Sequence, residues 1–393
     1  MSASVVIVGA KRTPIGSFNG ALAPVPATAL GATAIRAALA SAGVAPEAVS
    51  EVLMGCVLPA GLGQAPARQA SLQAGLPTGT GCTTLNKVCG SGMKAVMLAH
   101  DLIKAGSAEV VVAGGMESMT NAPYLLQKAR FGYRFGHSEV LDHMALDGLQ
   151  NAADRKAMGE FAELCASKYT FTRDEQDAFS AESVRRALAA QAGGDFADEI
   201  VPVTVAGRKG EVQISADEEP PACDIGKIGS LRPAFKKDGT VTAATSSKIS
   251  DGAAALVLTS ADTAAAQGLK PLARVVAHAT HSQEPEWFTT APVQAIEKVL
   301  KKAGWSQDEV DLYEVNEAFA VVAMAPIREL GIPHAKVNVN GGACALGHPI
   351  GASGARLLVT LIHALKRRGG CKGIATLCIG GGEATAVAIE LVD

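Results

Sequence analysis

The chain predicts an α/β fold built from two copies of one unit, with a long excursion between them. Helix-ending glycines recur at a fixed offset. Gly43 and Gly304 are 261 positions apart, and each leads through a short connector to a valine, Val49 or Val310, and then to an apolar run. A second pair recurs at 262, where Ser91-Gly92-Met93-Lys94 and Ser353-Gly354-Ala355-Arg356 open apolar-periodic stretches ending at Gly106 and Gly369. Each stretch is followed by another apolar run and a glycine cluster, Val110 to Gly115 and Ile374 to Gly382. A duplicated pattern of this kind fixes the architecture, and alternating strands and helices give mixed sheets covered by helices.

Taken in order, Val5-Val6-Ile7-Val8 reads as the first strand, matched loosely by Ala273-Arg274-Val275-Val276. A helix closing at Gly43 and a strand Val52-Leu53-Met54-Gly55 follow, and their copies close at Gly304 and run through Leu312-Tyr313-Glu314-Val315. The next helix covers Met93 to Ile103. Its copy runs from Ser353 to Arg368, with Lys366, Arg367 and Arg368 in the last turn, where positive charge is stabilising without any ligand. Residues 121–249 match neither copy and are richer in charge and turn residues, as in Arg208-Lys209-Gly210 and Asp217-Glu218-Glu219-Pro220-Pro221. The domain reading is therefore 1–120 with a returning strand and helix at 250–270, an inserted segment at 121–249, and a second copy at 271–393.

At 393 residues there is ample chain for a large core. A net charge of −3, with no dense Lys/Arg cluster, gives no footprint for nucleic acid. The charge-free stretch from Thr13 to Ile35 is broken by Pro14, Pro24 and Pro26 and is not a membrane span. Lys11 and Arg12 follow the first apolar run instead of preceding it, and Leu391-Val392-Asp393 carries no peroxisomal or retention signal, so a cytoplasmic location is expected. The eight cysteines include no C-x-x-C pair and no disulfide framework is expected. His100, His137, His143, His278, His281, His334 and His363 are expected in structural roles, and no His/Asp/Glu spacing resembles a metal site.

Chemistry concentrates where the repeat puts strand-to-helix turns and glycine-rich strand ends. Cys89 sits in Asn86-Lys87-Val88-Cys89-Gly90-Ser91-Gly92, at the opening of a helix. There the unpaired backbone N–H groups and the helix dipole are expected to favour thiolate. His348 lies in Gly347-His348-Pro349-Ile350-Gly351, and Cys378 opens Cys378-Ile379-Gly380-Gly381-Gly382. Gly114-Gly115-Met116-Glu117 is the first-half counterpart of the Cys378 loop, expected to pack near the nucleophile, and Cys344 is read as packing. Ligands of such folds gather at the carboxyl ends of strands, which puts a site between the two halves.

These segments resemble the thiolase family along essentially the whole chain. Four blocks carry the likeness: Asn86 to Gly92, Asn316-Glu317-Ala318-Phe319, Gly341-Gly342-Ala343-Cys344-Ala345-Leu346-Gly347-His348-Pro349, and Cys378 to Gly382. The resemblance implies a five-layered αβαβα core with an inserted loop domain that grips coenzyme A. It implies acetyl-CoA acetyltransferase chemistry by ping-pong acyl transfer, with acetyl-CoA, acetoacetyl-CoA and coenzyme A as substrates and products, and neither metal nor redox cofactor. Cys89 would be acylated, His348 would take its proton, and Cys378 would deprotonate the second acetyl group. Asn316, through a held water, and His348 would form one oxyanion hole, and the N–H groups of Cys89 and Gly380 the other.

Coenzyme A contacts would come from Ser247, Phe235, Phe319, Ala318, Leu149 and Met158, with Phe288 in the acyl pocket. Three departures stand out. Ala157-Met158-Gly159 replaces the common His-Met-Gly, Ala244-Thr245-Ser246-Ser247-Lys248 replaces Gly-Asn-Ala-Ser-Gly, and Phe288 stands where a Met is frequent. Glu218 to Asp224 lacks a phosphate-directed basic residue, for which Arg208, Lys209 or Lys227 would compensate. These departures keep open a broad-range 3-ketoacyl-CoA thiolase of fatty acid degradation. A β-ketoacyl synthase, an inactive acyl-CoA binder and a cysteine hydrolase fit less well, because the second cysteine is present and no catalytic position is lost. A homotetramer, as a dimer of dimers, is expected.

Overall fold

In the computed structural model, which describes residues 4–207 and 210–392, the first unit supplies β1 (Val5–Arg12), β2 (Gly16–Ser17), α1 (Ala27–Ala42), β3 (Glu51–Gly55), α2 (Pro66–Gln73), β4 (Gly81–Leu85), α3 (Ser91–Lys104) and β5 (Val110–Ser118). The middle of the chain adds the pair β6 (Tyr124–Leu125) and β7 (Leu141–Asp142), α4 (Met158–Tyr169), α5 (Arg173–Ala192), the pair β8 (Val203–Gly207) and β9 (Gly210–Ile214), and α6 (Glu219–Ala222). Then come β10 (Ser250–Ser260), α7 (Ala261–Ala266), β11 (Ala273–Ser282), α8 (Ala291–Ala303), β12 (Leu312–Val315), α9 (Ala320–Leu330), α10 (Ala343–Leu346), α11 (Ser353–Arg368), β13 (Lys372–Ile379) and β14 (Glu383–Leu391).

The strand order β12-β13-β14-β11-β1-β10-β5-β3-β4, with β2 on β10, reads the repeat outward from its middle. Each half pairs its strands the same way: β3 lies parallel to β5 as β12 does to β13, and β10 lies antiparallel to β5 as β14 does to β13. Among the described residues the strands of the two halves pair only at Val6–Arg274 and Ile7–Ala273, so they act as two sheets meeting at a short seam.

Strand periodicity explains the layers, because successive side chains point to opposite faces. Val6, Val8, Val110, Val112 and Val257 pack under α1 with Leu30, Ile35 and Leu39. Ile7, Val111, Ala113 and Leu256 face the other way, onto α3 and α11, where Met93, Met97, Leu358 and Leu361 join them. In the second half Leu377, Val387 and Ile389 meet the same central helices. There Ile374, Ala386 and Ala388 pack beneath α8 with Val293, Ile296 and Val299. The order is helix, sheet, paired helices, sheet, helix.

Gly43, Gly304 and Gly369 end their helices at φ 67, 69 and 69°, a left-handed conformation that glycine adopts without strain. Gly92 and Gly354 serve a different purpose at the crossing of α3 and α11. A Cβ on Gly354 would lie 2.4 Å from the Met93 nitrogen, and one on Gly92 would lie 2.9 Å from the Ala355 nitrogen. The two helix openings touch backbone to backbone.

The inserted segment is tied to the first strand by a buried ion cluster. Arg12 forks onto Asp217 at 2.7 and 2.9 Å, also bonds Glu199, and lies 5.0 Å over the Phe196 ring. The bidentate fork offsets the cost of burying the charges. Helices α4 and α5 pack on α9, and α5 also on α10, which brings this segment over the second half and its His348 block.

Candidate active site

Cys89 lies in the turn between β4 and α3, and local bonds set its shape. Ser91 Oγ accepts from the Lys87 nitrogen at 2.8 Å and donates to the Val88 carbonyl at 2.6 Å, while Asn86 Oδ1 accepts from the Val88 nitrogen at 2.8 Å. Val88 is thereby held at φ 46°, a left-handed conformation that a β-branched residue adopts only under strain. Gly90 lets this turn seat against the other half, since a Cβ there would lie 2.4 Å from Ile379 Cδ1.

The expectation of a ready thiolate is corrected here. The helix begins at Ser91 with Gly90 as its cap, so Cys89 stands outside the first turn. Burial pushes the Cys89 thiol up to about 11; the backbone N–H groups of Gly380 and Cys89 pull the other way, and the Glu117 charge adds to the rise. Desolvation outweighs the dipole, and the resting group is a thiol that needs a base. The two N–H groups converge on the sulfur from different halves of the chain.

The His348 ring is fixed by its neighbours. Its Nε2 lies 3.3 Å from Asn316 Nδ2, its Nδ1 lies 2.6 Å from Ser353 Oγ, and Ser353 Oγ donates to the Pro349 carbonyl at 2.9 Å. The serine has one proton and spends it on Pro349, so Nδ1 must carry the imidazole proton and donate it to Oγ. Nε2 is left as a lone pair beside the Asn316 amide. Burial, with the Arg356 charge second, pushes His348 down to about 3, which keeps it neutral. Arg356 is itself buried and paired with Glu314 at 3.2 Å. Asn316 Oδ1 is buried with no partner, a vacant acceptor facing the same region.

Cys378, at the end of β13, is fully buried; burial, and after it the charge of Cys89, raise its thiol well above the usual range. Gly381 and Gly382, at φ 96 and 93°, turn the chain so that the Gly380 N–H faces Cys89.

Two buried carboxylates, quoted only as motif neighbours in the sequence, brace these loops. Glu117 accepts from the nitrogens of Val57, Leu58 and Gly351 at 3.0, 3.1 and 2.8 Å, and burial raises it to about 7. Glu317 accepts from Ser183 Oγ, Asn338 Nδ2 and the Cys344 nitrogen at 2.7, 2.8 and 3.1 Å, joining the insertion, the Asn316 turn and the His348 block. A carboxylate inside an apolar motif was the available signal. Cys344 itself is buried, its sulfur 3.6 Å from the Glu317 carbonyl.

A cavity of about 540 Å³ opens above His348. Leu149, Met158, Phe235, Ser247, Ala318 and Phe319 all line it. Phe235 and Phe319 meet edge to face at 5.9 Å, and Phe235 seats over Gly159, where a Cβ would strike the ring at 2.3 Å. Phe288 does not reach this wall. It is 3% exposed within the core and packs edge-on against Phe161 at 6.4 Å, because its short helix turns it inward under α4. Lys227 is exposed and pairs with Asp224, away from the cavity, and Arg208 and Lys209 lie outside the described residues. Lys248, the last residue of the Ala244–Lys248 departure, stands in the wall instead. A larger depression of about 670 Å³ shares Phe235 but holds none of the reactive residues.

Among the described residues no helix is long and apolar enough to cross a membrane. Residues 5–262 match the model of the thiolase N-terminal domain, and residues 269–391 that of the thiolase C-terminal domain. The chain is 55% identical to an acetyl-CoA acetyltransferase of Chromobacterium violaceum, over 98% of this chain and 99% of that one. It is 53% identical to acetyl-CoA acetyltransferase 2 of Arabidopsis thaliana, over 99% and 97% respectively. The crystal structure of the Bacillus anthracis acetyl-CoA acetyltransferase superposes with a TM-score of 0.97 at 44% identity, covering 100% of this chain and 99% of that one. In sequence and in fold alike, the chain belongs to the thiolase family.

Proposed function

We propose that the protein is an acetyl-CoA C-acetyltransferase, joining two acetyl-CoA into acetoacetyl-CoA and coenzyme A reversibly. Its near-full-length relatives at 50–55% identity bear that name. The observations that carry the chemistry are the Gly380 N–H and Cys378 gathered on Cys89 from the other half, and the buried Asn316–His348 pair.

His348 Nε2 takes the Cys89 proton as sulfur attacks the thioester carbon, and the departing coenzyme A thiolate takes the Cys378 proton, giving acetyl-Cys89 and a Cys378 thiolate. The carbonyl oxygen of that intermediate is held by the N–H groups of Cys89 and Gly380. Cys378 then removes a methyl proton from the second acetyl-CoA, whose enolate oxygen is stabilised by Asn316 and His348. The new carbon–carbon bond forms as Cys89 departs. Removing one donor of either hole costs ~10²–10³ in rate. No metal or redox group enters this scheme.

The pantetheine lies between Phe235, Phe319, Leu149 and Met158, with Ser247 and Ala318 as polar and backbone contacts and Lys248 toward a phosphate. A homotetramer is supported by exposed apolar side chains around β6 and β7: Tyr124, Leu126, Phe131, Phe135 and Val140. A cytoplasmic location is part of this reading.

The test is thiolysis of 3-ketoacyl-CoA substrates of about four to ten carbons with coenzyme A, beside a Cys89→Ala control. Turnover confined to acetoacetyl-CoA supports the reading. Equal turnover of the longer chains would make it a broad-range thiolase of fatty acid metabolism, and activity in Cys89→Ala would overturn the mechanism.

A further inference from the structure

The last turns of α3 and the strand β11 bring together three metal-ligating side chains far from the reaction. His100 Nδ1 lies 3.0 Å from Asp101 Oδ1, and His278 Nε2 lies 2.9 Å from the same oxygen. The two imidazoles stand edge to face with centroids 5.0 Å apart. The ligand atoms of all three residues lie within 4.8 Å of one another. Ligands bonded to one tetrahedral ion at ~2.0–2.2 Å sit about 3.3 Å apart, so little movement would close the set around a metal.

His100 is 6% exposed, and its Nε2 is buried with no partner. Asp101 is half exposed, which leaves an entry path from solvent.

We propose that His100, Asp101 and His278 form a site for a transition-metal dication of the zinc class, with water completing the coordination. Two imidazoles and one carboxylate suit Zn²⁺, Co²⁺ or Ni²⁺ and do not suit Mg²⁺ or Ca²⁺. Lys302 contributes a positive charge at the rim, bonding the His278 carbonyl at 3.0 Å. On metal entry each ring loses the N–H bond at its ligating nitrogen and gains one at the other, so the imidazoles stay neutral and no redox step is involved.

The place of the site gives it a consequence. Helix α3 begins two residues after Cys89, and β11 is the first strand of the second half. A bound ion would staple the nucleophile's helix to the half that carries His348 and Cys378. Sequence spacing hid the cluster because Asp101 and His278 are 177 positions apart.

The experiment uses the full-length protein, stripped with a chelator and desalted. Zn²⁺ is titrated by calorimetry, Co²⁺ by absorption, and melting is followed with and without Zn²⁺. The expected result is one equivalent of Zn²⁺ per chain, a higher melting temperature with metal, and a Co²⁺ spectrum without sulfur-to-metal charge transfer. Asp101→Asn and His278→Gln, both at the surface, should each weaken binding at least tenfold and abolish the melting shift, with basal thiolysis unchanged. Absence of binding, equal binding in both variants, or a sulfur charge-transfer band showing that cysteines take the ion would overturn the proposal.

Discussion

Ser353→Ala tests how the base is prepared. With the Asn316 amide at Nε2, the hydroxyl fixes which ring nitrogen of His348 carries the proton, through the 2.6 Å bond to Nδ1 and the 2.9 Å bond to Pro349. Without it, a buried N–H at Nδ1 has no acceptor, a loss of about 1–3 kcal/mol. The imidazole can escape that cost by moving its proton to Nε2, which removes the lone pair that Cys89 needs. Either way the productive tautomer is disfavoured by the same amount, which lowers kcat/KM by roughly five- to 150-fold. The assay is acetoacetyl-CoA thiolysis together with alkylation of Cys89, and both rates should fall in parallel while melting changes little. Ser353→Thr, which keeps the hydroxyl, should recover most of the loss. An alanine variant within twofold of the parent in both assays would refute the tautomer argument.

Gly354→Ala puts a Cβ 2.4 Å from the Met93 nitrogen, a backbone atom that cannot step aside, so about 1–3 kcal/mol or more of stability is lost, read as a lowered Tm. Glu317→Ala strands three donors at about 1–3 kcal/mol each, so Tm and kcat should fall together. An unchanged kcat would remove Glu317 from the bracing of Asn316 and His348. Cys378→Ala should still form acetyl-Cys89 from acetyl-CoA, detectable by mass spectrometry, while condensation drops by about 10²–10⁴; condensation at the parental rate would end its role as base. Glu117 gives a pH prediction. Its carboxyl is raised from 4.5 to about 7, so over that window the folded chain holds a proton the unfolded chain has lost. Its contribution to stability is therefore full below the lower value and declines as pH rises to the upper. The stability difference between the parent and Glu117→Gln, from denaturant unfolding, should decline with pH there, and a rise would contradict the assignment.

Much of this was written in the chain where the signal is local or periodic. The glycines at helix ends and the two offsets exposed the duplication before any geometry, because a left-handed cap and a helix crossing each demand a missing side chain. Cys89, His348, Cys378 and Asn316 were legible as motif residues, but their electrostatics were not. The thiolate expected at Cys89 weighed a helix dipole that any sequence reader can see against a burial that only the fold reveals, and burial wins. The packing of Phe288 on Phe161 was hidden for a related reason: its position along the chain says nothing of which way a short helix turns it. Ser353, Glu117 and Glu317 act through bonds to backbone groups up to 234 positions away, and nothing in a linear pattern marks such a partner.

The duplication also leaves each half chemically incomplete. In strand register, Asn316 falls opposite Gly55, His348 opposite Asn86, Cys378 opposite Met116, and Cys89 opposite Gly351. At Gly55 and Gly351 the blank is enforced by space. A side chain at Gly55 would lie 2.6 Å from Ser91 Cβ and 2.8 Å from the Gly351 carbonyl, and one at Gly351 would lie 2.5 Å from a Glu117 oxygen. A symmetric ancestor bearing the same reactive group twice would have no room to close around it. Division of labour between the copies is thus a steric condition of their fitting together: one half keeps the nucleophile, the other keeps the bases, and the vacant positions are what allow them to meet.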